Sequence, residues 1–452
     1  MKSFFLGTLI ALGLLSLFAW WITPQRDVSG KASVIWASDD NPARRDQIGL
    51  FNELNPTIDL RLDPSIESLE KVIVQSLAGV GPDLFCAYNA FFLNSYVKSG
   101  IALDITDRVK KAGIDIERDL WRAGDSTYIY EGRIYGLPAN VATDAIWFNK
   151  NIFDTTNVPY PQGLLTWDEF IALAQKLTVR DENGRIKHFG FLYGRDNFLH
   201  FLVQFGGRLY SEDGTTCMID SPECIEAVQF MYDLIYKYKI SASPRDEAAM
   251  TTQGGWGSGL ITWFGGGRGA MALGGRWWLC ILRNYSNLRL GAIPSPYAKF
   301  HVYKGYGKSV IINKFSPHID EAFEFLKYMT EKPYNDLINH QADALAPVKK
   351  YCYTDEYLHD PDYPEEDFND VWRDVMEYSI PEEVSPFVNG AVTMRIIDKQ
   401  LELIMSDQKN AEDGMKTAAR LINEEIRKNC ELDPSLKVKF HARRNAVSKE
   451  AK

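Results

Sequence analysis

Short apolar runs alternate with amphipathic stretches along the first half of the chain after residue 30. Two stretches have the spacing of a helix: one places Ile48, Phe51 and Leu54 on a common face, and the other runs over residues 67–78 and stops at Gly79. Strands that alternate with helices predict an α/β fold whose mostly parallel sheet is covered on both faces. The apolar runs typical of strands are Val34–Trp36, Ile58–Leu62 and Asp83–Tyr88.

The later part of the chain is rich in helix signals. Thr166 and Glu169 have the spacing of a capping box, and Ser221–Pro222 is a typical helix start. A strand is predicted at Ser309–Ile312, and the last amphipathic stretch predicts a helix over Ala411–Arg427. The basic segment that follows, residues 431–452, has the composition of a solvated tail.

The N-terminus has the pattern of a targeting segment. Lys2 precedes Phe4–Ile22, which carries no charge and would measure about 28 Å as a helix, close to the thickness of a bilayer core. No small-residue cleavage site precedes Pro24, so the pattern favours an uncleaved membrane anchor over a cleaved secretion signal, and both imply export. Residues 1–30 are therefore expected to be a signal or anchor segment.

Composition and motifs exclude several classes of function. The net charge of -10 argues against a nucleic-acid-binding protein, which needs a basic face. The sequence has no phosphate-binding loop, no zinc motif, no dinucleotide fingerprint and no nucleophile elbow. The neighbouring acids Asp39 and Asp40 would point to opposite faces of a strand, which makes them a poor pair for glycoside hydrolysis. We therefore expect no cofactor, no metal and no catalytic residues.

The six cysteines match no metal-binding spacing. Export would permit disulfides, and the best candidate pair is Cys217 with Cys224. The alternative for these two, and our expectation for the other four, is a buried free thiol.

A series of short segments resembles the family 1 extracellular solute-binding proteins, the maltose-binding-like sugar receptors of ABC importers. Their order and spacing carry the resemblance, which covers roughly residues 33–430. The segments are Pro82–Phe85, Ser99–Asp107, Gly132–Pro138, Ile146–Phe153, Thr166–Phe170, Gly206–Gly207 with Asp213–Gly214, Gly269–Leu273 with Gly275–Trp277, Ala322–Leu326 and Ala346–Val348.

The resemblance implies two α/β lobes joined by three chain crossings. The crossings are expected near Pro138–Asn140, Tyr303–Gly307 and Leu345–Pro347, where glycine, proline and short polar runs suit a hinge. The first lobe would comprise residues 31–139 and 307–345. The second lobe would comprise residues 140–306 and 346–430.

The resemblance also implies a ligand site between the lobes. A sugar has apolar C–H faces and polar hydroxyl groups, so the site needs aromatic rings and hydrogen-bonding side chains on loops that face the cleft. Trp277 follows Gly-Gly-Arg and resembles the stacking tryptophan of the family's second lobe, with core packing as the alternative. Asp40 is a candidate that could instead begin the next helix. The remaining candidates are Ser38, Asp39, Tyr88, Asn89, Asn140, Thr143, Asp144, Arg195, Asp196, Asn197, Trp256, Phe387 and Asn389.

These features predict an exported binding subunit that captures a carbohydrate by hinge closure, as a monomer, and delivers it to a membrane permease encoded elsewhere. Three alternatives remain open. The protein could be an exported glycoside hydrolase, or a sensor that presents its ligand to a membrane kinase. The ligand could also be a polyol phosphate, an amino acid or a polyamine, because aromatic rings near acids suit polyamines as well as sugars.

Overall fold

The computed structural model describes residues 30–66, 68–183, 185–250 and 259–450. The first three predicted strands are confirmed within two residues of their expected bounds, and the strand predicted at Ser309–Ile312 is confirmed but begins six residues earlier, at Tyr303. In the described part of the chain the strands are β1 (Ala32–Ala37), β2 (Ile58–Leu62), β3 (Leu84–Ala87), β4 (Ile129–Tyr130), β5 (Arg133–Ile134), β6 (Gly136–Asn149), β7 (Val179–Arg180), β8 (Ile186–Leu192), β9 (Gly269–Gly275), β10 (Leu290–Ile293), β11 (Tyr303–Ile312) and β12 (Ser379–Ile380).

Several helices begin at residues whose side chains cap them. Thr166 and Glu169 form the predicted capping box, and Ser221 accepts a hydrogen bond from the backbone of Cys224. The α-helices of the described residues are α1 (Ala43–Leu54), α2 (Leu69–Leu77), α3 (Ala90–Lys98), α4 (Thr106–Lys111), α5 (Ile116–Asp119), α6 (Lys150–Thr156), α7 (Trp167–Leu177), α8 (Phe198–Gln204), α9 (Pro222–Tyr236), α10 (Pro244–Met250), α11 (Leu260–Gly265), α12 (Leu279–Leu282), α13 (Ile319–Tyr328), α14 (Lys332–Gln341), α15 (Asp355–Leu358), α16 (Asn369–Glu377), α17 (Gly390–Met405), α18 (Ala411–Leu432) and α19 (Pro434–Glu450).

Ten of the twelve described strands form one mixed sheet in the order β2-β1-β3-β11-β6-β9-β8-β7, with β10 also paired to β6 and β12 to β11, and β4 and β5 form a separate two-stranded sheet. Strand β1 runs parallel to β2 and β3, and β8 runs parallel to β9. Strands β11 and β6 pair antiparallel with each other and with their outer neighbours β3 and β9. The predicted α/β class is confirmed. The sheet is mixed rather than mostly parallel, because the two long central strands run against the strands beside them.

The three segments predicted to cross between lobes lie side by side at the centre of the sheet. Val141 of β6 pairs with Gly307 of β11 and forms a separate bridge with Leu345. All fourteen residues of β6 are buried, so this strand passes through the core along its whole length. The side chains of β6 therefore face the interior of the protein and not its surface.

The C-terminal segment, predicted to be a solvated tail, is mostly exposed but helical, and it contacts the rest of the protein at a few side chains. Residues Pro434–Glu450 form α19, and the ring of Phe440 packs against that of Phe387 with a centroid distance of 5.1 Å. Lys439 and Arg443 both pair with Glu131, on the turn between β4 and β5. Sequence alone suggested solvation because the basic side chains outnumber the few apolar anchors of this helix.

Cys217 and Cys224, the candidate disulfide pair, both carry buried free thiols, which was the alternative left open for these two residues. The backbone of Cys217 is held by the side chain of Asn423, whereas the thiol of Cys224 points to the carbonyl oxygen of Arg208. Burial raises the pKa of the Cys217 thiol to about 12, which makes this thiol unreactive at neutral pH.

The predicted anchor, residues 4–22, lies outside the described residues. Among the helices that the structure describes, none combines the length and the apolar character needed to cross a bilayer.

Candidate functional site

Two adjoining pockets lie against the central strands β6 and β11. We name them pocket A and pocket B; their cavity volumes are about 230 Å³ and 270 Å³. Tyr88, Trp277 and Tyr306 line both, so the two pockets adjoin at a shared aromatic wall. We refer to the two pockets together as the cleft.

The cleft is built from strands at its base and from loops at its sides. Strand β6 supplies Asn140 to pocket B and Asp144 to pocket A, and the Tyr306 and Lys308 side chains follow the same alternation on β11. The loop after β3 and two 3-10 turns, Arg195–Asn197 and Arg276–Trp278, carry further polar and aromatic groups.

The aromatic middle of the cleft is held by hydrogen bonds. The Tyr306 hydroxyl donates to Asp144 Oδ1 at 2.7 Å and accepts from Trp277 Nε1 at 3.2 Å. Gly275 leaves the space that the indole needs, because a Cβ atom there would lie 2.6 Å from Trp277 Cδ1. The position of the Trp277 indole therefore requires a glycine at the second position of the Gly-Gly-Arg-Trp sequence.

Pocket B contains a buried network of charges. Asp39 accepts from Arg44 Nε at 3.1 Å and from Lys308 Nζ at 3.1 Å, and Arg44 also pairs with Asp343. Burial would raise the pKa of Asp39, but the two cations beside it outweigh burial and hold this pKa well below its ordinary value. Arg44 likewise lowers the pKa of the buried Asp343. Both carboxylates are therefore ionised and already partnered.

Two buried polar atoms at pocket B have no hydrogen-bond partner among the described residues. They are Asp39 Oδ2, an acceptor, and Asn41 Nδ2, a donor, and both residues line the pocket. A buried polar group without a partner is unfavourable, so these atoms suit a ligand that both donates and accepts, as a hydroxyl does.

Pocket A is more acidic than pocket B. Lys304 lies 3.7 Å from Glu382, whose other oxygen accepts from the backbone N–H of Ala90 at 2.9 Å. Burial raises the pKa of Glu382, and Lys304 opposes this shift. The charged residues that line pocket A are Asp144, Arg195, Asp196, Lys304, Glu382 and Asp398.

The structure brings many of the predicted ligand-binding residues together at this cleft. Asp39 and Asn140 line pocket B, and Tyr88 and Trp277 line both pockets. The predicted residues that line pocket A alone are Asn89, Asp144, Arg195, Asp196 and Asn197.

Five other predicted residues lie away from both pockets, namely Ser38, Asp40, Thr143, Phe387 and Asn389. Ser38 and Thr143 are buried, and their hydroxyls donate to Asp39 Oδ1 and to the Lys304 carbonyl. Asp40 is exposed and precedes α1 without capping it, since Pro42 occupies the N-cap position. Trp256 lies outside the described residues.

The last two predicted contacts, Phe387 and Asn389, have structural roles instead. Phe387 is fully buried beneath α19, where it packs on Phe440. Asn389 caps α17 by accepting from the backbone of Ala391 at 2.9 Å. A single sequence does not distinguish an aromatic core residue or a helix cap from a ligand contact, because both roles use the same residue types.

Several residues of the cleft were not predicted. Arg44 lies on the buried face of α1 with Gln47 and Phe51. A charged residue on the face of a helix that is expected to be apolar is the signal that could have identified it. Tyr306 and Lys308 alternate on β11 between glycines, which marks one face of that strand as polar. Asn41, Lys304, Asp343, Glu382 and Asp398 carried no comparable signal.

One group of described residues has the ligand types of a metal site. His340, Asp360 and Asp362 place one ligand atom each within 4.8 Å of the others, with His340 Nδ1 2.9 Å from Asp360 Oδ2. The group lies outside both pockets.

Comparison with known proteins gives consistent results. The family model described as bacterial extracellular solute-binding protein matches residues 37–336. An arabinooligosaccharide-binding protein of Halalkalibacterium halodurans is 29% identical over 117 residues, which cover 25% of this chain and 25% of that protein. The chain thus spans about a quarter of the length of this curated relative.

Solved structures show the same fold at low sequence identity. An ABC substrate-binding protein of Listeria monocytogenes in complex with cycloalternan has a TM-score of 0.75 at 22% identity, covering 87% of this chain and 98% of that one. A solute-binding protein of Thermotoga lettingae bound with α-D-tagatose has a TM-score of 0.72 at 18% identity, with coverages of 88% and 100%. The predicted two-lobed binding-protein fold is confirmed.

Proposed function

The chain belongs to the bacterial extracellular solute-binding proteins, as its sequence predicted, and from this premise we propose that it captures a carbohydrate between its lobes for an ABC importer. The observation that carries the proposal is the cleft itself. Three aromatic residues, Tyr88, Trp277 and Tyr306, join two pockets whose walls carry carboxylates, amides and cations. Aromatic faces suit the C–H surfaces of a sugar, and polar side chains around them suit its hydroxyls.

The unpartnered atoms of pocket B support the same ligand chemistry. Asp39 Oδ2 lacks a donor and Asn41 Nδ2 lacks an acceptor, and sugar hydroxyls can serve in either role. Relatives and structural neighbours with carbohydrate ligands, among them arabinooligosaccharide and cycloalternan, point the same way.

Capture would proceed by closure of two lobes about the central strands. We assign residues 31–139 and 307–345 to one lobe and residues 140–306 and 346–430 to the other. The adjacency of Val141, Gly307 and Leu345 supports a hinge at this place, because a rotation there needs dihedral changes in only three neighbouring segments. Ligand contacts made to both lobes would favour the closed form.

The cleft is proposed to bind without catalysis. A glycoside hydrolase needs a protonated carboxyl as general acid, and the Asp39 pKa is lowered rather than raised. In pocket A, burial raises the pKa of Glu382, Asp196 and Asp398, so the proposal of binding without catalysis rests on the family and not on the pKa values of these carboxyls.

The family places the protein outside the cytoplasm. We propose further that residues 4–22 are its signal or anchor, that it acts as a monomer, and that the closed form docks on a membrane permease.

The proposal is tested by thermal shift and tryptophan fluorescence of residues 31–452 against mono- and oligosaccharides, polyols, amino acids and polyamines. We expect a saturable response to one carbohydrate class without product formation. Trp277→Ala should abolish it, Trp277→Phe should retain part of it, and Tyr378→Ala, an exposed ring outside both pockets, should leave it unchanged. A response confined to amino acids or polyamines, or turnover of a glycoside, would contradict the proposal.

A further inference from the structure

Pocket A and pocket B differ in their balance of charge. Pocket B is lined by two carboxylates and two cations, which form ion pairs with one another: Asp39, Asp343, Arg44 and Lys308. Among the described residues, pocket A is lined by four carboxyls and two cations: Asp144, Asp196, Glu382, Asp398, Arg195 and Lys304. Residues 251–258, which are not described, contain no charged residue. With its carboxyls ionised, pocket A therefore has an excess of negative charge that pocket B lacks.

One of the two cations of pocket A already has its counter-charge. Lys304 Nζ lies 3.7 Å from Glu382 and 4.6 Å from the centroid of the Tyr306 ring. The Lys304 ammonium group thus lies between a carboxylate and an aromatic face, an arrangement that stabilises a cation. The walls of pocket A therefore hold one ammonium group of the protein itself.

Three carboxyls remain beyond the pair of Lys304 and Glu382. Asp144 is buried, and its oxygens accept from two neutral groups, the Tyr306 hydroxyl at 2.7 Å and Asn197 Nδ2 at 3.1 Å. Asp196 and Asp398 line the pocket, and neither forms an ion pair or a hydrogen bond with another side chain in the described part of the chain.

These three carboxyls affect one another electrostatically. Burial raises the pKa of Asp196, and the charge of Asp144 adds to this shift while Lys304 and Arg195 oppose it. Burial likewise raises the pKa of Asp398, with Arg195 opposing the shift and Asp196 adding to it. A further positive charge in the pocket would relieve this repulsion.

The carboxyls of pocket A do not have the arrangement of a metal site. The ligand atoms of one ion must lie close together, and the one group of described residues that meets this condition is His340, Asp360 and Asp362, outside both pockets. A protonated amine suits the pocket, because its N–H groups can pair with carboxyls in different directions and its charge can lie on an aromatic face.

We propose that the captured carbohydrate is an amino sugar, with its protonated amine in pocket A and its hydroxyls extending toward pocket B. This inference rests on the proposed carbohydrate function. The four carboxyls belong to the lobe assigned to residues 140–306 and 346–430, and the balanced charges of pocket B belong to the other lobe. One ligand would therefore contact both lobes, which favours closure.

The proposal is tested by calorimetric titration at neutral pH with three matched ligands, the β-1,4-linked oligosaccharides of glucosamine, N-acetylglucosamine and glucose. These share one backbone and carry an amine, an acetamide or a hydroxyl at the same carbon. Glucosamine, galactosamine and mannosamine, each with its neutral parent sugar, extend the comparison to other backbones. The amine form should bind about tenfold more tightly than both neutral forms, because its hydrogen bonds to carboxylates are charge-assisted. This advantage should shrink as the salt concentration rises.

Two charge-removing variants test whether pocket A is responsible. Asp398→Asn should weaken binding of the amine form about fivefold and change binding of the hydroxyl form by less than about twofold. Asp196→Asn, on a different element, should have the same selective effect. Glu402→Gln is the matched control, since it removes an equal charge one turn further along α17 and outside both pockets. It should leave both affinities unchanged.

The outcomes separate the amino-sugar proposal from the proposed function. If a neutral carbohydrate binds as tightly as every amine-bearing one, or if both aspartate variants weaken the two forms equally, the amino-sugar proposal is wrong and the carbohydrate function stands. If no carbohydrate binds, or if only polyamines or amino acids bind, the proposed function fails and the amino-sugar proposal fails with it.

Discussion

Trp277 donates its indole N–H to the hydroxyl oxygen of Tyr306 across 3.2 Å, from a 3-10 turn to a central strand of the sheet. The same hydroxyl donates a hydrogen bond to Asp144 Oδ1 at 2.7 Å. Because the phenol is both acceptor and donor, the two rings and the carboxylate have fixed orientations before a ligand arrives. Preorganisation of this kind lowers the entropy cost of binding.

Tyr306→Phe should weaken ligand binding about tenfold, corresponding to about 1.4 kcal/mol, because Trp277 and Asp144 lose their common partner. Asp144 would keep its hydrogen bond from Asn197. The measurement is calorimetric titration with the carbohydrate identified in the ligand screen. Tyr303→Phe is the control: this residue lies on the same strand and loses a buried hydrogen bond to Ser295, but it does not line the cleft. Equal losses in both variants would mean that the effect is general destabilisation.

Lys308→Met should lower the free energy of unfolding by about 3 kcal/mol, because Asp39 would keep its buried charge with Arg44 alone. The measurement is denaturant unfolding at pH 7. Lys314→Met, an exposed lysine two residues after β11, should change stability by less than about 0.5 kcal/mol. A stable Lys308→Met protein would indicate that water or Arg44 alone neutralises the Asp39 carboxylate.

Local signals in the sequence predicted much of this fold. The capping box of Thr166 and Glu169 depends on residues three positions apart, and the strand at 58–62 depends on alternation within five residues. Asp144 on β6 and Trp277 on a 3-10 turn were found through the family resemblance, which already carries information about the cleft. Elements and loop positions are therefore accessible to sequence reasoning when a short motif encodes them.

Relationships between distant residues were not accessible in the same way. Arg44 and Asp343 meet across 299 positions, and nothing near either residue announces the other. Phe387 has the residue type expected of a sugar platform, but its burial depends on a helix that composition had assigned to solvent. The mixed strand order similarly follows from long-range pairing of β6 with β11, which a single sequence does not specify.

His200 should make the protein less stable as the pH falls below neutrality. Its ring is fully buried, with Nε2 2.9 Å from Ser295 Oγ, and burial together with the nearby Lys304 lowers its pKa from 6.5 to about 3. Between these values the unfolded chain binds a proton that the native state does not. The stabilisation is therefore complete above about pH 6.5 and declines toward pH 3, at up to about 1.4 kcal/mol per pH unit.

The measurement is the unfolding free energy of the wild type and of His200→Gln at pH 7 and pH 5. The wild type should lose about 2 kcal/mol more than the variant over this interval. His359→Gln, at an exposed histidine, should follow the wild type. Equal losses of unfolding free energy between pH 7 and pH 5 in the wild type and in His200→Gln would show that His200 is protonated without cost in the native state.

Phe440→Ala should lower the free energy of unfolding by about 1–2 kcal/mol, because the ring is partly buried and forms an edge-on contact with Phe387 at an interplanar angle of 77°. Val438→Ala, two residues earlier on α19, is the matched control. The Val438 side chain is 71% exposed, so its truncation should change stability by less than about 0.5 kcal/mol.

Removal of residues 434–452 extends the same argument to the whole helix. The truncation should lower the melting temperature by more than Phe440→Ala alone, because it also removes the ion pairs of Lys439 and Arg443 with Glu131. If the truncated protein has the same melting temperature as the full chain, this segment is a solvated tail that does not stabilise the fold. If the truncated protein melts lower but retains carbohydrate affinity, α19 stabilises the fold from outside and takes no part in the cleft.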